Sequence, residues 1–255
     1  MKQHEPEKHV AHARHKSPVI VATESGFQYS ETFDDGQGNK FEINPDNFAD
    51  YVKFFIDGTY NKENGFIEIS DAEIEKNKKH NIFLEYSETH FDGIAKILQY
   101  LDINPKDIFM DLGCGINKVG MQVLLCSNAR EVYGIEANDA RYHIAEKMAA
   151  KIQQECAPIF QSGERKFSVL HQNFLEADLS KATVLFVLSK NYNDELMNEL
   201  AKIVNKCPHI KNIVTMQPIN SKVAYSKTIQ IKCNWGETDC HLYGPLKLGK
   251  PHAKH

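Results

Sequence analysis

Two glycines set two residues apart behind an acid are the strongest chemical signal in the sequence. They stand in Asp-Ile-Phe-Met-Asp-Leu-Gly-Cys-Gly (107–115), after the short apolar run Ile108, Phe109 and Met110. A run of that length suits a buried parallel strand. Lacking a Cβ, Gly113 and Gly115 allow unusual backbone angles and let a ligand lie against the main chain, while a following helix presents free N–H groups. About 20 residues further on, Val-Tyr-Gly-Ile (132–135) reads as the next strand and ends in Glu136, where an acid can accept hydrogen bonds from ribose hydroxyls. The third glycine of a dinucleotide fingerprint is absent: Asn117 stands there, followed by Lys118. Asn tolerates left-handed angles, so the turn can still form. Asp111 would repel a pyrophosphate but attract the positively charged amino-acid end of S-adenosylmethionine, which is the cofactor this pattern implies.

Further candidates lie where strands should end. Asn173 and Phe174 follow the third strand, placing an amide for the polar edge of adenine and a ring to stack on it. Tyr86, Glu88 and Thr89 sit at the entrance of the helix that leads into the glycine strand, where free N–H groups face a ligand.

The elements that position these groups alternate. A helix with Ile94, Ile97, Leu98 and Leu101 on one face precedes the first strand; helices are expected over 119–125, 140–155 and 194–204, and strands over 131–135, 167–170, 183–188 and 211–216. The stretches 228–235 and 239–243, joined at Gly236, read as an antiparallel pair. The fold class is therefore α/β, a doubly wound, mostly parallel, Rossmann-like sheet whose ligands lie at the carboxyl ends of the strands.

Ahead of it, residues 19–84 read as a small, mostly helical cap. It has a glycine-marked turn or hairpin over 23–41, an amphipathic helix over 45–56 and a capping box, Ser-Asp-Ala-Glu (70–73), opening another helix. Residues 1–18 and 246–255 read as tails, the first with His4, His9, His12 and His15, and with Lys16 in a context like that of a methylated histone tail. The sheet domain is placed at 85–245.

Composition narrows the class. With 30 basic and 34 acidic residues the net charge is −4, which argues against a chain that coats nucleic acid, although a local basic patch is compatible. Six cysteines without a paired spacing fit a reducing compartment better than a disulfide framework. Cys233, Cys240 and His241 lack the tight pairs of a structural zinc site, so no metal is expected. There is neither an apolar run near 18 residues nor a secretory leader, so the expectation is an intracellular protein, cytoplasmic or nuclear, with no membrane partner.

Tyr-Ser-Glu-Thr-His-Phe (86–91), Ile-Phe-Met-Asp-Leu-Gly-Cys-Gly (108–115), Val-Tyr-Gly-Ile-Glu (132–136), Asn-Phe-Leu (173–175) and Val-Leu-Phe-Val (184–187) resemble, in order and spacing over about residues 85–245, the non-SET histone lysine methyltransferases of the disruptor-of-telomeric-silencing type. The glycine and acid motifs are shared by all seven-stranded methyltransferases; the Tyr-x-Glu-Thr-x-Phe entrance is more diagnostic. The resemblance implies a seven-stranded sheet and transfer of a methyl group from S-adenosylmethionine to a lysine of a histone or another protein, with nucleic acid involved only indirectly through a nucleosome. It assigns Thr89, Asp111, Gly113, Gly115, Glu136 and Phe174 to the cofactor, with Asn173 in place of the family's aspartate. Two departures fall on the substrate side. Leu188-Ser-Lys190 replaces an Asn-Asn-Phe stretch, and Cys240-His-Leu-Tyr243 replaces an expected Tyr-Tyr pair. Methyl transfer requires alignment and exclusion of water more than a protein nucleophile, so Asn191, Tyr192, Trp235 and Tyr243 are the candidates for an aromatic lysine channel. A base-methylating enzyme would carry an Asn/Asp-Pro-Pro-aromatic pocket, which this chain lacks. A small-molecule methyltransferase and a silent cofactor-binding scaffold are the alternatives.

Overall fold

The structure is a computed structural model that describes residues 20–23, 26–29, 32–34, 40–42, 47–78, 84–160 and 165–247. The expectations for the N-terminal histidines and Lys16 lie outside these residues. Where a mostly helical cap is expected, the described residues hold two short antiparallel hairpins, β1 (Ile20–Thr23) with β2 (Gly26–Tyr29) and β3 (Thr32–Asp34) with β4 (Lys40–Glu42), before the helices α1 (Phe48–Tyr60) and α2 (Asp71–Lys78). Half of the expected capping box forms: the Glu73 N–H donates to Ser70 Oγ at 3.3 Å. The Glu73 carboxylate turns elsewhere, accepting from Asn138 Nδ2 at 2.7 Å and so tying α2 to the segment just after Glu136.

Then the expected alternation follows, from α3 (Phe91–Tyr100) into β5 (Ile108–Leu112), α4 (Lys118–Cys126), β6 (Glu131–Glu136), α5 (Asp139–Glu155), the short α6 (Ala157–Phe160) and β7 (Lys166–His171). It continues through β8 (Val184–Val187), α7 (Asp194–Val204), β9 (Asn212–Thr215), β10 (Tyr225–Cys233) and β11 (Gly236–Tyr243). The seven strands of one sheet lie in the order β10-β11-β9-β8-β5-β6-β7, parallel except for β11, which runs antiparallel to both β9 and β10. This is the seven-stranded, mostly parallel sheet that the sequence leads one to expect.

Strand β5 is central and all five of its residues are buried, because both faces of the sheet are covered. Phe109 packs with α1, α3, α4 and α5, whereas Ile108, Met110 and Leu112 pack with α7 on the other face. A continuous apolar run is what such a strand requires.

The start of β5 is fixed by a buried carboxylate. Asp107, 3% exposed, accepts from the Asn104 N–H (2.7 Å), Thr183 Oγ1 (2.9 Å) and Lys211 Nζ (2.7 Å), which binds the entries to β5, β8 and β9 together. Removing the carboxylate takes three hydrogen bonds from the entries of three strands at once, so Asp107→Ala is expected to cost about 3 kcal/mol in chemical denaturation. Lying at the far end of β5 from the glycines, it should leave ligand affinity within about twofold once folded, in line with the additivity of distant sites.

Candidate functional site

The chain leaves β5 through a turn held from two sides. The Gly113 and Cys114 N–H groups both donate to the Ile135 carbonyl, at 2.8 and 3.0 Å. The Gly115 N–H donates to Glu136 Oε2 at 2.8 Å, and the other carboxylate oxygen accepts from the Asn138 N–H at 2.8 Å. Gly113 and Gly115 take φ of 81° and 56°, a region that side chains disfavour, and Asn117 takes φ 64°. The Asn in the place of a third glycine thus adopts the left-handed turn expected of it.

Glu136 therefore closes the turn as well as facing the cleft. Burial raises its pKa, while the N–H donors of Asn138 and Gly115 and the Arg141 cation offset part of that rise. Asp111 is in a harsher place. It is 2% exposed, its Oδ1 has no hydrogen-bond partner, and burial together with the nearby Glu136 charge lifts its pKa well above the usual carboxylate range. A buried acid with an open acceptor is suited to a cation, since a positive partner would remove the cost of ionising it.

A cleft opens over this turn. Gly113, Gly115 and Glu136 line it, together with Asn173 and Phe174, Asn191 and Tyr192, and Tyr86. The Tyr192 ring stacks on Phe174 at 5.9 Å and 9°, with its hydroxyl reaching the bare face of Gly113. Burial and the Glu136 and Asp111 charges raise the Tyr192 hydroxyl, and burial and Glu88 raise that of Tyr86, so neither is a base at neutral pH.

Tyr86 has a seat made by two glycines. A Cβ on Gly65 would stand 2.0 Å from its Cζ, and one on Gly115 2.3 Å from its Cε2. Phe66 meets the ring edge-on at 4.9 Å, and the Arg141 guanidinium lies over it at 4.8 Å. Its hydroxyl donates to Glu88 at 2.6 Å, and Glu88 in turn pairs with Lys118 at 2.9 Å in the first turn of α4.

The remaining candidates fall around the cleft and not in its lining. Glu88 is committed to Tyr86 and Lys118. Asp111 lies beneath the turn. Thr89 points to β10, with its Oγ1 4.0 Å from Cys233 Sγ, because residues 88–90 pair with the edge of β10: the His90 N–H donates to the Lys232 carbonyl and the Asn234 N–H to that of Glu88. Tyr243 is 5% exposed; its hydroxyl accepts from the Ile219 N–H at 3.0 Å, so it braces the core beside β9. Trp235, 36% exposed, caps the β10–β11 turn next to Asn234. Cys240 is buried while the adjacent His241 turns to Thr228 on the opposite face, and all six cysteines are free thiols.

Arg141 is the residue sequence reasoning missed. Buried at 4% exposure, it donates to the Gly65 carbonyl (3.0 Å) and to the Leu84 carbonyl (2.8 Å), pinning both cap segments beside the cleft. A signal existed. A cation in the first turn of a helix opposes the macrodipole, and such a misplaced charge marks a residue held for another reason. Lys190 and Ser87 at the cleft mouth carried no comparable mark.

Among curated proteins, a protein-lysine N-methyltransferase of Saccharolobus islandicus (strain REY15A) is 30% identical over 112 residues, which is 43% of this chain and 63% of that protein. A histone-lysine N-methyltransferase of Caenorhabditis elegans, H3 lysine-79 specific, is 24% identical over 142 residues, 53% of this chain and 15% of the relative. The chain thus spans less than two thirds of either. A solved RNA methyltransferase from Salinibacter ruber, in complex with S-adenosyl-L-homocysteine, matches with a TM-score of 0.42 at 16% identity, over 64% of this chain and 95% of that one. Residues 70–234, from the capping box of α2 to the tip of the last hairpin, match the model of the histone methylation protein DOT1, and the chain belongs to that family.

Proposed function

We propose that this protein is an S-adenosylmethionine-dependent lysine N-methyltransferase that acts on a histone or another lysine-bearing protein. The observation that carries the reading is the buried, partnerless oxygen of Asp111 beneath a glycine turn that Glu136 closes. An acid there fits the cationic amino-acid end of the cofactor, Glu136 fits the ribose, and Asn173 with Phe174 fits the adenine. When bound, this cofactor supplies an electrophilic methyl group on a sulfonium. The two relatives named as lysine methyltransferases support the class of acceptor.

The work left to the chain is orientation and proton control. Asn191 and Tyr192, in the cleft lining, would align an acceptor side chain; Tyr243, whose hydroxyl accepts from the Ile219 N–H, does not reach the cleft. A lysine must arrive neutral, against a free pKa of about 10.4. With both cleft tyrosines held protonated, the proton leaves to solvent before attack. The Lys190 cation at the mouth favours that loss. The rate with a protein acceptor is therefore expected to rise about tenfold per pH unit until it levels at the acceptor's lowered pKa.

The test is label transfer from methyl-tritiated donor to core histones, nucleosomes, free lysine, small amines and RNA, followed by mass spectrometry. Label on a lysine Nε of a protein is the expected result. Label confined to RNA or to small molecules would overturn the reading. The Leu188-Ser-Lys190 departure favours a second reading, a cofactor-binding scaffold without turnover, which predicts binding and no label anywhere. With a histone acceptor the protein would meet nucleic acid only through the nucleosome and would work where chromatin lies. Among the described residues no helix is long and apolar enough to cross a membrane.

A further inference from the structure

The loop between β8 and α7 carries Asn191 and Tyr192, and the Tyr192 ring stacks on Phe174 in the cleft lining. The loop backbone is held from the end of the next strand. Gln217, two residues past β9, places its carboxamide nitrogen 2.6 Å from the Ser189 carbonyl, 2.9 Å from that of Lys190 and 2.9 Å from that of Tyr192. Two amide hydrogens serve three oxygens, so one is shared, and three acceptors on one side fix which end of the amide faces the loop. The contact is reinforced. The buried Ser189 hydroxyl accepts from the Met216 N–H (3.1 Å) and the Gln217 N–H (3.2 Å), and Thr215 Oγ1 donates to the Gln217 carbonyl at 2.6 Å. Within the loop, the Tyr192 N–H donates to the Ser189 carbonyl at 3.2 Å.

Gln217 is not part of the cleft lining. Its effect on the cleft passes through the loop alone. Releasing the three carbonyls removes bonds to the backbone of Ser189, Lys190 and Tyr192, and so weakens the support of the Tyr192 ring that lies parallel to Phe174 and against Gly113.

We propose that Gln217 is a positioning residue that holds the 189–192 loop, and with it Asn191 and Tyr192, over the acceptor side of the cleft. The assignment of that side to an acceptor rests on the methyltransferase reading above; the clamp itself does not. Gln217→Glu keeps the shape but turns a carboxylate oxygen toward three carbonyl oxygens, while Gln217→Met removes the donors without adding charge.

The first readout is hydrogen exchange of the full, ligand-free chain. Losing three bonds, each contributing about 0.5–1.5 kcal/mol net, should speed exchange of amides 189–192 about tenfold or more in Gln217→Glu, and less in Gln217→Met. Protonating the introduced carboxyl restores a donor, so exchange in Gln217→Glu, corrected for its intrinsic pH dependence, should slow again in acid. The second readout is kinetic: the acceptor KM should rise about tenfold, while cofactor Kd, set by the turn and Glu136, stays within about threefold. Unchanged exchange in 189–192 for both variants would overturn the proposal, as would a cofactor Kd that weakens as much as the acceptor KM. Should the loop open in the variant while the wild type methylates nothing, the clamp stands and the methyltransferase reading alone fails.

Discussion

Asp111→Asn is expected to make the protein more stable and a weaker binder at the same time. In the free protein, burial and Glu136 raise the Asp111 pKa above its unfolded value, so the folded state holds a proton the unfolded state has lost. Stability contributed by that proton is present below about pH 4, the unfolded carboxylate value, and is lost as pH rises toward the folded pKa. Asparagine has nearly the same shape and no charge. A gain of about 1 kcal/mol, seen as a melting temperature higher by about 2–4 °C at pH 7, is the expected outcome, and it should vanish in acid. S-adenosylmethionine affinity should fall about 10- to 100-fold, the value of a lost charge-assisted bond. The wild type should bind more tightly as pH rises, since a cationic ligand favours the ionised acid, and the variant should lose that dependence. A variant that is destabilised, or that binds as tightly as the wild type, would show that Asp111 is a plain core residue.

Gly115→Ala is expected to abolish cofactor binding and to destabilise the fold. Its φ of 56° already disfavours a side chain, at about 1 kcal/mol. The added Cβ would also stand 2.3 Å from the Tyr86 ring, which is wedged between Gly115 and Gly65 and cannot retreat toward the second glycine. The ring must leave its seat, breaking its bond to Glu88 and its stack under Arg141. Loss of detectable cofactor binding is expected, with destabilisation of about 2–4 kcal/mol, comparable to displacing a core aromatic. Gly236→Ala makes the control. It also sits at positive φ, 120°, but nothing lies within 4 Å of its Cβ, so it should show backbone strain alone and leave binding intact.

The contrast between these two glycines also shows what a sequence can carry. The glycine turn, the acid ending β6 and the alternation of strands and helices were legible because each rests on local chemistry: a missing Cβ, an apolar run buried on two faces, a helix stripe. Even the left-handed Asn117 follows from its own side chain. What the sequence did not carry were contacts between distant segments. Thr89 faces Cys233 because its segment adds to the edge of β10, 144 residues away. The Tyr243 hydroxyl accepts from the Ile219 N–H and does not face the cleft. Arg141 reaches back 76 residues to Gly65, and Gln217 reaches 28 residues to Ser189. No periodicity encodes such pairings; of the two N-terminal hairpins the sequence marks only a turn or hairpin over 23–41, since each strand is only three or four residues long and takes its shape from a neighbour.

Calorimetric titration of the full chain with S-adenosylmethionine, alongside Gly115→Ala and Gly236→Ala, tests the central claim most directly, since the roles assigned to Asp111, the glycine turn and Glu136 depend on that cofactor lying on the β5 turn. One site of about micromolar affinity in the wild type and in Gly236→Ala, lost in Gly115→Ala, is the predicted result. No binding to the wild type, or equal binding by all three proteins, would contradict it.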